Sequence, residues 1–455
     1  MNKKTEQKEN KMGTMSVNRL LISMSLPMMI SMLIQALYNI VDSMFVARIH
    51  EDALTAVSLA FPLQMLMIAV STGTGVGVNA LLSRNLGEGN RKGVNRAANN
   101  GIFVILLSYV VFLLIGIFAS GPFFSSQSEN QRIVEYGTEY LSICMIFSFG
   151  CFLQMMMERL LQSTGKTIYS MITQTTGAII NIILDPILIF GYFGFPKMGV
   201  AGAAIATVSG QIVAMILAIY LNLKKNHEIH ISLREFRPHF PTIKAIYWVG
   251  VPSIIMQAIG SVMTFGMNKI LMPFSSTAVA VFGVYFKLNS FIFMPIFGLN
   301  NGLIPIIAYN YGAGKKDRIM KTFQLGVKIA VGLMAIGVII FQIMPGKLLG
   351  IFDASEQMLQ IGIPALRTIS YSFIFAGFCI VVMSMLQSFG EGFVSLLISA
   401  VRQLVVILPV AYLLSRSFGV EGAWWAIPIA EVASVFLSLF FFFRLYHSKI
   451  KNLAS

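Results

Sequence analysis

Charge is what this sequence has least of. Only 11% of its 455 residues are Asp, Glu, Lys or Arg, and 56% are hydrophobic. Soluble domains carry roughly 25% charged residues, so the scarcity excludes a soluble globular protein and points to an integral membrane one. Acids are scarcer than bases, 19 Asp and Glu against 33 Lys and Arg, for a net charge of +14. In a soluble chain that excess would suggest a nucleic-acid partner. Here the bases lie between apolar runs, the pattern of membrane-protein loops, and no nucleic acid is expected. The three cysteines (Cys144, Cys151, Cys379) fall inside apolar runs without metal-ligand spacing, so they read as packed thiols. Walker A, nucleophile-elbow and His-Glu-x-x-His patterns are missing. That argues against an enzyme, against ATP as the energy source and against a bound cofactor.

What is present is a set of twelve apolar stretches, near 17–47, 53–82, 97–118, 133–160, 166–193, 199–223, 244–272, 277–308, 322–345, 357–386, 393–415 and 420–445. Each meets or approaches the ~20 residues needed to span a bilayer. The expected fold is all-α and polytopic, with twelve transmembrane helices. The first stretch is too long for a signal peptide and is expected to remain as a helix. Residues 1–16 read as a polar, disordered tail, 224–243 as a linker and 447–455 as a second tail. The six stretches in 17–223 and the six in 244–446 form the two halves. His227 and His230 in the linker read as solvated loop residues, since no further ligands converge on them.

Most Lys and Arg fall on one side, including Arg84, Arg91, Lys92, Lys224, Lys225, Lys315, Lys316 and Arg444. The other side keeps Arg48, Arg132, Lys197, Lys269, Lys347 and Arg416. By the positive-inside rule the first side, with both termini, is cytoplasmic.

The halves repeat at one offset. Pro27 matches Pro252, and 252 − 27 = 225. At the same offset Gly77 matches Gly302, Asn85-Leu-Gly87-Glu-Gly89 matches Asn310-Tyr-Gly312-Ala-Gly314, and Leu161-Gln-Ser163 matches Leu386-Gln-Ser388. Six helices per half keep the repeats parallel, so two lobes should flank a central cleft, an architecture of alternating-access transporters. The glycine motifs read as helix C-caps followed by basic residues, with a hinge role as the second reading.

Clearly intramembrane carboxylates are few: Asp42, Asp185 and Glu431, with Glu158 near the cytoplasmic end of the fourth stretch. Placing an Asp at mid-membrane costs ~2.5–3.5 kcal/mol on insertion scales, so each requires a reason. Gln35, Tyr38, Asn39 and Asp42 fall at i, i+3, i+4 and i+7 on one helix face. Asn181 and Asp185 share a face of the fifth stretch, which Gln174 extends. Asp42 and Asp185 are expected at one depth in the first lobe, where two carboxylates require either a cation between them or a proton on one. Both options make an ion-coupling site; capping or hydrogen bonding to a neighbouring helix is the alternative. The counterpart positions are Met267 and Val410, so the second half holds no equivalent pair. Its buried polar candidates are Gln257, Lys287, Asn289, Arg367, Tyr371, Arg402 and Glu431. Lys287 and Arg367 are expected to pair with carboxylates or carbonyls. The 28 Met and 36 Phe suit lipophilic cations, though most must serve packing.

From about Ser16 to Tyr446 the chain resembles the multidrug and toxic compound extrusion (MATE) transporters, especially their DinF-like, MepA-type bacterial branch. The resemblance rests on Ser25-Leu-Pro-Met-Met29, Asp42, Gly87-Glu-Gly89, Leu161-Gln-Ser163, the run from Asn181 to Gly191 and Gly199 to Thr207. It implies a bacterial plasma-membrane antiporter, functional as a monomer, that expels lipophilic, often cationic drugs as H⁺ or Na⁺ flows in. It implies a first-lobe ion site of Asp42, Asn181, Asp185 and Thr207, which would be metal ligands if the ion is Na⁺. Gln35, Tyr38, Asn39, Gln174, Gln257, Arg367, Tyr371 and Glu431 would line the cavity. Another branch of the family uses second-lobe acids that this chain lacks. The rival within the wider superfamily is a lipid-linked saccharide flippase, which would require a large cationic cavity for a pyrophosphate.

Overall fold

A computed structural model describes residues 9–232 and 236–453; Arg234 and residues 1–8 of the expected tail lie outside the described residues. A bilayer offers backbone N–H and C=O groups no partner, so the spanning segments must satisfy them internally as helices. The chain obeys. A short α1 (Lys11–Thr14) precedes α2 (Val17–Ala47), α3 (Glu51–Gly87), α4 (Arg91–Phe118) and the short α5 (Ser120–Gln127). Next come α6 (Gln131–Ile146), α7 (Phe149–Ser163), α8 (Thr167–Phe190) and α9 (Val200–Lys225). The second half holds α10 (Phe240–Leu271), α11 (Ser276–Gly312), α12 (Lys316–Ile343), a short α13 (Pro345–Gly350), α14 (Glu356–Ser370) and α15 (Phe373–Ser388). It ends with α16 (Gly392–Ala400), a π-helical stretch Val401–Ile407, α17 (Leu408–Phe418) and α18 (Val420–Leu445). Among the described residues ten helices, counting α16 to α17 as one, are long and apolar enough to span a membrane; counting two bent pairs as single spans gives twelve.

Those bent pairs are the fourth and tenth expected spans, each broken near its middle. Between α6 and α7 the chain turns by 44°, and between α14 and α15 by 46°. At each break a serine hydroxyl takes a carbonyl three residues back, Ser148 Oγ to Met145 O and Ser372 Oγ to Ile369 O, both at 2.7 Å. Such back-bonding competes with the helical ladder and bends it. Prolines within the spans (Pro27, Pro62, Pro186, Pro252) leave their helices unbroken.

Two hydrophobic cores, one centred in each half, match the two-lobe expectation; Met12, Leu20, Leu21 and Met24 join the second-half core and Ile246 the first. The lobes meet along α2 with α11 and α3 with α10, and glycines set the approach. A Cβ on Gly77 would lie 2.1 Å from the Ile246 carbonyl oxygen, and one on Gly302 would lie 2.3 Å from Ser25 Oγ. A Cβ on Gly87 would meet Tyr309 O at 1.9 Å, and one on Gly312 would meet Arg84 O at 2.1 Å. Since Arg84 and Tyr309 are themselves counterparts, the repeat offset reappears as a pseudo-two-fold seam. All these contacts lie in the halves of the four helices nearer the basic loops, so the lobes are closed at that face. The glycine motif therefore has two jobs. Its first glycine (Gly87, Gly312) allows the crossing, and its second (Gly89 at φ +70°, Gly314 at φ +69°) takes the left-handed turn that ends the helix.

The N-terminal segment from Glu9 to Ser16 is not a disordered tail. Met12 is fully buried, and the segment bridges the lobes at the basic face. Asn10 Nδ2 donates to Thr164 O at 3.0 Å, while Arg318 Nη2 donates to Met12 O and Met15 O at 2.9 and 2.7 Å. Lys315 pairs with Glu9, and Lys166 with Glu228. The linker is fastened to α4 through Asn95 and Asn100, which accept from His230 N and His239 N.

Overpacking a close helix crossing costs ~1–3 kcal/mol. A Gly87→Leu/Gly312→Leu variant is therefore expected to part the lobes at the basic face. A cysteine placed at Tyr309, 4% exposed, should then label with maleimide, against a background of three buried native thiols. Labelling no faster than in the parent would refute the seam; Gly283→Ala, with nothing within 4 Å of its Cβ position, is the neutral control.

Candidate functional site

Both lobes bury acids with partners, and the arrangements differ. In the first lobe Asp42 on α2 and Asp185 on α8 are neighbours, close enough for each carboxyl to feel the other. Asp185 is fully buried and Asn181, one turn before it, is 2% exposed. Asn181 Nδ2 donates to Thr207 Oγ1 of α9 at 3.2 Å. Gln174 Nε2 donates to Gln35 Oε1 at 3.0 Å, joining α8 to α2 one step further along the lobe. Tyr38 lies close enough to both carboxyls to sense their charge. Two carboxyls at this separation in an apolar lobe cannot both remain ionised without a cation.

Next to the residues that flank the pair runs a cavity of about 70 Å³, whose walls include Gln35, Tyr38, Gln174, Asn181 and Thr207. Drug-sized ligands need ~300–1,000 Å³, whereas one water needs ~10–15 Å³, so the space suits waters or a small ion. A larger recess of about 380 Å³, walled by Arg84, Lys244, Trp248 and Phe389, opens at the basic face, away from the acids.

The structure brings Asn181 with Thr207 and Gln174 with Gln35 into contact, with Asp42, Asp185 and Tyr38 in the same lobe. Asn39 does not join them: it is exposed, at the edge of the face, ~100° round the helix from Tyr38 and ~60° from Asp42. Gln257 is exposed and donates across the lobe boundary to Thr72 Oγ1 at 2.8 Å. Arg367 is exposed, its Nε donating to the Gln342 carbonyl at 3.3 Å, and Tyr371 stacks on Trp425 at 6.0 Å between ring centroids. Lys287 reaches the face of Phe352, 5.8 Å from the ring centre; no ion pair with a carboxylate joins it among the described residues. The cavity also exposes a residue that sequence spacing left at the margin. Glu158 on α7 forms part of its wall. Its signal was Gln154 at i−4, a second amide on the same face.

In the second lobe Arg402 Nη1 donates to Glu431 Oε1 at 3.1 Å. Both side chains are largely buried, at 16% and 9% exposure. Arg402 occurs in the π-helical stretch that interrupts the eleventh span.

Against this geometry the family comparison is decisive. The MatE family model matches twice, over residues 27–187 and 252–413, starting at the two prolines that define the repeat. The chain belongs to the MatE family, a family of membrane transporters. Among curated relatives, the multidrug export protein MepA of Staphylococcus haemolyticus is 27% identical over 432 residues, covering 94% of each chain. A protein named FAD transporter in Shewanella oneidensis is 26% identical over 416 residues, covering 91% of this chain and 92% of its own. Among solved structures, an outward-facing multidrug resistance MATE transporter aligns with a TM-score of 0.91 at 26% identity, over 98% of this chain and 99% of its own.

The Arg402–Glu431 pair makes a stability prediction for this MatE transporter. Removing one partner of a buried pair costs ~3–5 kcal/mol, whereas replacing both by apolar residues is often neutral. Glu431→Leu alone is expected to lower the melting temperature in detergent, and Arg402→Met/Glu431→Leu to recover most of the loss. A double variant no better than the single one would show that the pair does more than neutralise itself.

Proposed function

We propose that this transporter is a proton-coupled exporter of lipophilic, often cationic drugs, embedded in a bacterial plasma membrane as a monomer with both termini cytoplasmic. The observation that carries the coupling is the Asp42–Asp185 contact. Two neighbouring carboxyls in an apolar lobe call for a shared proton or a bound cation, and the adjacent cavity has the size of a water or small-ion path, not a drug site. The drug class rests on the printed names of the MepA relatives, on the supply of Met and Phe and on intramembrane acids, which are functional by default.

The proposed cycle follows from the seam. The basic, cytoplasmic face is closed, so drug is released outward from this state. A proton then binds the carboxyl pair from outside and shifts α2 against α8. That lowers drug affinity and permits the lobes to reopen toward the cytoplasm, where the proton leaves. Such a carrier needs no ATP. A flippase for a lipid-linked saccharide would need free cations for a pyrophosphate. Arg402 is neutralised by Glu431, Arg367 is engaged by a carbonyl and Lys287 by an aromatic face, which weighs against it.

In proteoliposomes an imposed pH gradient is expected to drive ethidium export, and an imposed Na⁺ gradient at fixed pH to leave it at background. Asp42→Asn and Asp185→Asn should each reduce pH-driven export to background. Export that follows Na⁺, or survives both substitutions, would overturn the proton reading.

A further inference from the structure

The cavity does not end at Tyr38, Asn181 and Thr207, the residues that stand between it and the carboxyl pair. Its inner wall includes Gln154, Cys151 and Glu158 of α7. Glu158 is 6% exposed, and its Oε1 accepts from Gln154 Nε2 at 3.0 Å and contacts Thr173 Oγ1 at 2.9 Å. The Thr173 hydroxyl also lies 2.9 Å from Ser170 O, and it has one proton to give. If it donates to Ser170, the Glu158 contact is satisfied by a proton on the carboxyl; if it donates to Glu158, the carboxyl can be ionised. The local geometry accepts both forms.

The next residue explains why the choice matters. Arg159 is 8% exposed, and its Nη1 donates to Gln162 Oε1 at 2.9 Å and across the lobe boundary to Asn301 Oδ1 of α11 at 2.8 Å. A Cβ on Gly75 would meet the Arg159 chain at 2.6 Å, so the arginine is wedged beside the glycine seam. Its hydrogen-bond partners are neutral, and Glu158 supplies the nearby negative charge. A buried cation whose counter-charge is removed is strongly destabilised.

We infer that Glu158 is a second proton-binding group of this transporter, loaded through the cavity from the Asp42–Asp185 pair, and that its protonation releases the Arg159–Asn301 latch holding the lobes closed at the cytoplasmic face. The inference rests on the proton-coupled reading. The proton moves from one carboxyl to another and then to cytoplasmic water, and no other bond changes. The charged and titratable groups around Glu158 are Arg159 and Cys151 on its own helix, Tyr38 and Asp42 on α2, and Asp185 on α8. The facing α3, α9 and α11 contribute the neutral Asn79, Thr207, Gln211 and Asn301. Glu158 is thus a coupling residue, distinct from the pair that first captures the proton.

The test uses the full chain with spin labels at Lys92→Cys and Asp317→Cys, exposed counterparts on the two lobes at the basic face. Their separation is measured across pH, alongside ethidium export driven by a pH gradient. The parent is expected to shift from the short to the long distance as pH falls. Glu158→Gln should hold the long distance at every pH and lose pH-driven export, while Glu158→Asp should restore part of both. Asn301→Ala, remote from the cavity, should also favour the long distance at every pH, and it carries the test if Glu158→Gln fails to fold. Parent-like distances and export in Glu158→Gln, with Asp42→Asn inactive, would overturn the role of Glu158 and leave the carboxyl pair standing. A parent whose export ignores the pH gradient would overturn the proton reading itself.

Discussion

Two carboxyl groups held side by side in an apolar lobe are the constraint on which the rest of this structure depends. A lone intramembrane Asp could be tolerated by pairing with a helix terminus or an amide. Asp42 and Asp185 instead face each other, with Asp185 fully buried. Their shared environment is stable only with a proton or a cation present. The surrounding polar residues follow from this: Asn181 with Thr207, and Gln174 with Gln35, are amide and hydroxyl pairs that line a space too small for a drug. Such a lobe changes its charge when its occupant leaves. That property lets an ion gradient do mechanical work on the helices around it.

Duplication supplied the scaffold twice but not the chemistry. The positions equivalent to Asp42 and Asp185 are Met267 and Val410. Conversely, Arg402 and Glu431 are the counterparts of Gly177 and Ala206, a cavity-wall residue and the neighbour of Thr207. The second lobe therefore places a covalently attached guanidinium near the place where the first lobe leaves room for an exchangeable charge. An internal cation cannot be released, so the second lobe is electrostatically closed. In the proposed cycle the coupling work falls to the first.

What could be read from the sequence divides along physical lines. Spans, repeat and acids were legible because each leaves a signal in residue type alone: apolar length, fixed offset, costly charge. The structure corrected features that depend on where a neighbour lies. Asn39 fits the expected face to within one residue step yet lies exposed at its edge. The breaks at Ser148 and Ser372 come from hydroxyl back-bonds that look like ordinary serines in sequence. Gly87 and Gly312 read as helix stops, whereas their second role, letting two backbones touch, exists only once the lobes are docked. The segment around Met12 is short and polar enough to resemble a tail. Its order comes from Asn310 and Arg318, some three hundred residues away in the chain.

The same distinction explains how a small chemical event can move large lobes. Packed glycine crossings do not deform gradually, since a backbone separated from its partner by a fraction of an ångström has already lost its contact energy. A seam of this kind is either closed or open, and its balance can be tipped by one uncompensated buried charge. Arg159 occupies the point where both conditions meet, hydrogen-bonded across the seam on one side and adjoining a cavity-wall carboxylate on the other. A charge change in the cavity reaches the seam through two adjacent residues of one helix turn, with no need for a long chain of intermediate shifts. The broken geometry of the fourth span serves this arrangement, because the bend at Ser148 lets α7 run between the cavity and α11 instead of staying parallel to α6.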